Sequence, residues 1–333
     1  MNLPSREARR LAWTRDALND PHAPLERASA DASFRSYWRS ESGGRTWIVM
    51  DAPPDKEDIR PWLDIAARLS AAGLHAPEIS ASDAEQGFVL MADLGTRLYL
   101  PELDETRVDA LYADALDALL AMQTRADCAG LPDYDEARLI AEMELMPEWL
   151  LKRHLGFTPE CDEWDVIELA FRTLVKNAQS QPQAFVHRDY HSRNLLITAE
   201  NNPGVLDFQD AVRGPLTYDL VSLLRDCYIA WPDERVYHWV EDYRQRLEKT
   251  GVTTVSVEAF RRAFDLMGLQ RHIKVLGIFC RLWYRDGKAG YLNDLPLVWR
   301  YTRDVGRRYP DIAPMIDLIE RAIGSRDITQ PLA

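Results

Sequence analysis

The chain has 333 residues, 46% hydrophobic and 28% charged, without a low-complexity tract, which excludes a disordered or fibrous protein and allows two cores. Acidic residues outnumber basic ones 53 to 40, a formal net charge of -13, which argues against a nucleic-acid partner because phosphates demand a basic face. Cys128, Cys161, Cys227 and Cys280 lie far apart with no C-x-x-C pair. No segment shows a signal peptide's apolar core or the ~20 apolar residues of a membrane span. A cytoplasmic protein with reduced thiols, no membrane association and no protein partner is expected.

The opening residues read as an amphipathic helix. SFRSYWRS and RTWIVMD follow, separated by Glu41-Ser42-Gly43-Gly44, and predict a hairpin. Over 58–72, Trp62, Ile65, Ala66 and Leu69 recur at i, i+3, i+4 and i+7, the spacing of one buried helical face, and Gly73 ends that helix. PEIS and GFVLMA are further strands. Asp93-Leu94-Gly95 breaks this pattern, and beyond it Leu111, Leu116, Leu119 and Leu120 begin a mainly helical region. The boundary therefore falls between a β-rich lobe, 1–93, and a larger helical lobe, 94–333. One β stretch interrupts the second lobe: AFVH, NLLIT and GVLDF, the last two joined by a turn at Asn201-Asn202-Pro203-Gly204. Helices resume at Tyr218.

That stretch holds His187-Arg188-Asp189-Tyr190-His191-Ser192-Arg193-Asn194, an H-x-D-x-x-x-x-N arrangement, and Asp207 ends the next apolar strand. Phosphoryl transfer needs a carboxylate to orient the attacking hydroxyl and oxygen ligands that fix Mg²⁺ against the phosphates. Asp189, Asn194 and Asp207 supply those groups, since magnesium keeps several waters and takes few protein ligands. With GPLTYDLVSLLRD following, the chain resembles the aminoglycoside-phosphotransferase and choline-kinase superfamily, relatives of the protein kinases. The resemblance implies an α+β, protein-kinase-like, two-lobed fold that uses ATP and Mg²⁺. It makes Asp189 the catalytic base, Asn194 and Asp207 the metal ligands, and Asp219 and His187 structural braces of the catalytic loop. Asp219 also lies in a first helical turn, where an acid is favoured by the helix dipole alone.

The chain departs from that pattern in the small lobe. A strand lysine usually reaches the phosphates, but RTWIVMDAPP offers Met50 and Asp51 there. The nucleotide then falls to Ser33, Phe34 and Arg35 of the phosphate-covering segment and to Met91 and Asp93 of the interlobe link, with Arg35 chosen as the phosphate cation over Arg39, Arg45 and arginines of the large lobe, although Arg35 reads equally as an exposed surface residue. ASFRSYWR, IVMDAPP, MADLG, VHRDYHSRNLL and LDFQDAVRGPLTYDLVSLLRDCY together resemble bacterial anomeric sugar kinases. That subgroup phosphorylates the C1 hydroxyl of N-acetylmuramate and N-acetylglucosamine in peptidoglycan recycling. An amino-sugar site is accordingly expected at His191, Arg225, Asp226, Tyr228 and Trp231, where polar groups meet aromatic faces, although Tyr228 also continues an apolar stripe and His191 could be a local structural residue. Trp283, Tyr284, Arg285 and Asp286 could close the same pocket. Two alternatives stand: the same fold acting on an aminoglycoside, choline or another amino alcohol, and a nucleotide-binding pseudokinase suggested by the missing lysine.

Overall fold

A computed structural model describes residues 4–30 and 34–331, and the chain divides into two compact units, 1–121 with 193–210, and 122–192 with 211–333. The first unit opens with helix α1 (Arg6–Ala17), where the Ser5 hydroxyl accepts the Ala8 N–H at 3.2 Å as an N-cap. Five strands follow: β1 (Glu26–Ala30), β2 (Ser36–Ser42), β3 (Arg45–Asp51), β4 (Ile79–Asp83) and β5 (Phe88–Ala92). They form an antiparallel sheet in the order β1-β2-β3-β5-β4. Gly43 and Gly44 turn the β2–β3 hairpin with φ of 60° and 74°, the left-handed pair such a turn requires. Helix α2 (Arg60–Ala71) is inserted between β3 and β4 and buries Trp62, Ile65, Ala66 and Leu69, the face expected from their spacing. Strand β1 was not foreseen. Its sequence, ERASA, has no β-branched or aromatic residue, and its pairing with β2 at the sheet edge defines it.

Helix α3 (Val108–Arg125) carries the chain into the second unit. There α4 (Glu136–Met143), a wide π-helical segment (Met146–His154) and α5 (Cys161–Ser180) precede β6 (Gln183–Val186). The chain re-enters the first unit for the short hairpin of β7 (Leu195–Leu196) and β8 (Gly204–Val205), then returns with β9 (Val212–Pro215), which pairs with β6. Strand β9 was also unforeseen, because VRGP ends in Gly-Pro and is too short to show a period.

The remaining helices are α6 (Tyr218–Leu224), α7 (Asp233–Lys249), α8 (Val257–Tyr284), α9 (Leu295–Gly306) and α10 (Ala313–Ile323). Helix α8 is the axis of this unit, packed by α4, α5, α6, α7, α9 and the π-helical segment. Every residue from Phe264 to Gly277 is buried. Gly277 permits a close approach of the chain to α8: a Cβ there would stand 2.3 Å from the Leu145 carbonyl carbon. No helix among the described residues is long and apolar enough to cross a membrane. The fold is α+β and protein-kinase-like.

Candidate active site

Strand β6 ends at Val186 and delivers the chain into the His187–Asn194 loop. Two buried carboxylates hold the backbone of this loop within the second unit. Asp219, in the first turn of α6, accepts the N–H of His187 at 2.6 Å with Oδ2 and that of Arg188 at 3.0 Å with Oδ1. Arg188 is thereby kept at φ 77°, a left-handed conformation that an arginine rarely adopts. Asp226 accepts the Ser192 N–H at 3.0 Å and the Ser192 hydroxyl, and its other oxygen accepts the Tyr228 N–H at 3.2 Å. Between these supports, the Asp189 N–H donates to His187 Nδ1 at 3.3 Å, and the His191 N–H donates to the Asp189 carbonyl at 3.0 Å.

Asp189 keeps a partial opening to solvent but is densely surrounded. Burial pushes its pKa up, and the positive charges of His191, Lys274 and Arg271 outweigh that and hold it below the usual carboxylate range. An ionised carboxylate is the form that can accept a proton. Sequence reasoning missed Lys274, Arg271 and Glu142. Lys274 Nζ lies 3.0 Å from Glu142 Oε1 and donates to the Tyr218 hydroxyl at 3.2 Å, while Glu142 also takes Arg188 and Tyr134. Arg271 Nη2 donates to Ser222 Oγ at 2.8 Å. The available signal was Gln270-Arg271-His272-Ile273-Lys274, a polar run inside an apolar helix, which reads as exposed until α8 is known to be enclosed.

Asp219 behaves oppositely to Asp189. Burial raises its pKa to about 7 despite the two backbone donors. The folded state then binds this proton more tightly than the unfolded chain, so its stabilising contribution is full below about pH 4 and is lost as pH rises through about 7. Thermal melts between these limits should show wild-type stability falling with pH relative to Asp219→Asn, whose side chain does not titrate; parallel profiles for the two proteins would refute this.

The residues expected at a sugar site all lie in the second unit. His191 meets Tyr228 edge to face at 5.5 Å, and Tyr228 stacks on Phe279 at 6.2 Å, which in turn meets Tyr291 at 5.3 Å. Phe279 and Tyr291 were not anticipated. Arg225 is 2% exposed, paired with Asp233 at 3.2 Å and facing Asp265 at 3.7 Å. Trp231 is buried against Trp239. Trp283 and Tyr284 are in ring contact, Tyr284 also meets His154, and Arg285 pairs with Asp286 at 2.8 Å.

In the first unit, Asn194 and Asp207 are adjacent. Asn194 Nδ2 lies 3.4 Å from Asp207 Oδ2, Gln209 Nε2 donates to Oδ1 at 2.9 Å, and the Leu206 N–H donates to the Asn194 carbonyl at 3.0 Å. Trp62 of α2 packs on Phe208 at 5.0 Å and anchors this segment. Asp207 itself has φ 62°, which aspartate tolerates better than most residues, and its side chain is 39% exposed. A carboxamide that can turn its oxygen and a solvent-accessible carboxylate fit a magnesium ion completed by waters and phosphate. Arg35 Nη2 stands 3.8 Å from Asp207 Oδ1.

The position usually held by a strand lysine has another use here. Met50 is buried, and Asp51 is paired with Arg6 at 2.5 Å and Arg10 at 2.7 Å, tying α1 to the sheet. Met91 is buried in β5 opposite Ile48. Asp93 accepts Arg39 Nε at 2.6 Å and the Gly95 N–H at 2.9 Å. Phe34 is exposed, and Ser33 lies outside the described residues.

The small sheet with its inserted helix and the braced H-x-D-x-x-x-x-N loop point to a phosphotransferase. The chain belongs to the phosphotransferase enzyme family, which it matches over residues 24–260. It is 44% identical over 94% of its length, and 96% of the relative's, to an N-acetylmuramate/N-acetylglucosamine kinase of Pseudomonas putida. A kinase of the same name from Pseudomonas aeruginosa is 47% identical over 90% of this chain and 88% of its own. A choline/ethanolamine kinase family protein of Mesorhizobium loti shares the fold, with a TM-score of 0.63 over 95% of this chain and 100% of that chain at 16% identity.

Proposed function

We propose that this chain is an ATP- and Mg²⁺-dependent kinase that phosphorylates the anomeric C1 hydroxyl of N-acetylmuramate or N-acetylglucosamine in cytoplasmic peptidoglycan recycling. The observation that carries this reading is the 44% identity, over nearly the whole chain, with a kinase named for these two sugars. Asp189 is the proposed base. A hemiacetal hydroxyl is more acidic than a simple alcohol, so an ionised carboxylate held below its usual range can still orient it and receive its proton late in transfer. Asn194 and Asp207 are the proposed magnesium ligands, and the ion supplies neutralisation of phosphate charge when bound.

Residues 1–93 form the proposed nucleotide-covering lobe, with Ser33, Phe34 and Arg35 over the phosphates and Met91 and Asp93 near adenine; residues 94–333 carry catalysis and the sugar. His191 and Tyr228 are the proposed sugar contacts, where the Tyr228–Phe279 stack supplies an apolar face, with Arg225, Asp226 and Trp231 supporting them. Asp219 and His187 brace the loop.

The test is Mg·ATP consumption across N-acetylmuramate, N-acetylglucosamine, glucose, choline and kanamycin, with the phosphorylated position identified by phosphorus NMR. Phosphate on C1 of an N-acetylated sugar is the expected result. Turnover of choline or kanamycin alone would overturn the sugar assignment, and nucleotide binding without turnover of any acceptor would overturn the kinase.

A further inference from the structure

Residues 1–121 and 193–210 contain a single lysine, Lys56, whose side chain is 51% exposed and stands 3.7 Å from Asp55. Asp51 is occupied by Arg6 and Arg10, and Arg39 by Asp93. Arg35, just before β2, is different: its side chain is only 9% exposed although it lies at a strand entrance. Its Nε faces Glu57 Oε2 at 3.5 Å, and its Nη2 faces Asp207 Oδ1 at 3.8 Å. Glu57 also accepts the Phe34 N–H with Oε1 at 3.3 Å. One carboxylate, in the turn leading to α2, thus fixes the backbone of residue 34 and the side chain of residue 35.

An arginine has considerable rotamer freedom, and a guanidinium forms its best ion pair by laying a full edge on a carboxylate. Such a bidentate pair with Asp207 would cancel the charge that a metal ligand needs. Glu57 holds the Nε side of the guanidinium as an ion-pair partner at 3.5 Å, and the Nη2 approach to Asp207 stays at 3.8 Å, so no guanidinium edge is laid on the Asp207 carboxylate.

We infer that Glu57 is a positioning residue for nucleotide binding, holding Arg35 beside Asp207 at a stand-off from which the guanidinium meets phosphate oxygens without displacing the metal. This rests on the kinase reading above. Glu57 touches neither the sugar nor the reacting atoms in this scheme, so its effect is confined to Mg·ATP and passes through Arg35.

The experiment is steady-state kinetics, with Mg·ATP and sugar varied in turn, on wild type, Glu57→Gln, Arg35→Lys, Arg35→Ala and the Glu57→Gln/Arg35→Ala double variant, with a melting curve for each. Glu57→Gln should raise KM for Mg·ATP by about threefold to fivefold, the order of one partly exposed ion pair, with the sugar KM and Tm unchanged. Arg35→Lys should recover part of the loss seen in Arg35→Ala, and the double variant should be no worse than Arg35→Ala alone. Wild-type kinetics in Glu57→Gln, additive losses in the double variant, or a lowered Tm with both KM values raised would each overturn the inference. Wild type without Mg·ATP turnover would instead remove the kinase reading, and with it this one, before any variant is compared.

Discussion

Asp189→Asn is expected to lower kcat by about 10² to 10⁴ while leaving nucleotide affinity nearly unchanged. The substitution keeps the size and removes the charge. It also leaves the supports of the loop in place, because Asp219 and Asp226 bind backbone N–H groups of residues 187, 188 and 192, none of which involves the Asp189 side chain. Loss of rate should therefore come from chemistry. His191, Lys274 and Arg271 keep the wild-type carboxylate ionised below the ordinary range, so its protonation should not enter the rate profile near neutrality. Turnover numbers across neutral pH and nucleotide titration by calorimetry check both points. A variant that turns over like wild type, or one that loses nucleotide affinity as steeply as rate, would remove Asp189 from the role of base.

What the sequence made legible was local. The period of Trp62, Ile65, Ala66 and Leu69 named the buried face of α2 because an amphipathic helix buries one side and exposes the other, and Gly43-Gly44 named a hairpin because that turn needs two left-handed residues. Strands β1 and β9 were hidden because ERASA and VRGP carry little strand preference of their own and owe their conformation to pairing, β1 with the adjacent β2 and β9 with the more remote β6. The site divides along the same line. The spacing of Asp189, Asn194 and Asp207 is written in one contiguous stretch, whereas Lys274 and Glu142 reach the loop from α8 and α4. No short-range pattern links residues 142, 188 and 274, and a charged residue on a helix is read as solvated until its neighbours are known. The buried Asp51 was visible only as a missing lysine; its pairs with Arg6 and Arg10 depend on where α1 packs.

Asp207→Asn should reduce kcat/KM by about 10³ or more, since charge stabilisation by a catalytic metal is worth several kcal/mol. The exchange isolates charge from fold. Asp207 has φ 62°, a conformation that asparagine accepts as readily as aspartate, and the amide oxygen can still accept Asn194 while its NH2 donates to Gln209 once the Gln209 amide turns its oxygen inward. An alanine there would add backbone strain to the loss of the ligand. The amide is a weaker magnesium ligand than the carboxylate, so the variant should recover part of its rate as Mg²⁺ is raised far above the wild-type requirement. Asp189→Asn should recover none, because its defect lies in handling the substrate hydroxyl. Rate against magnesium concentration for the two variants thus separates base from metal ligand, and an equal response in both would dissolve that division of labour.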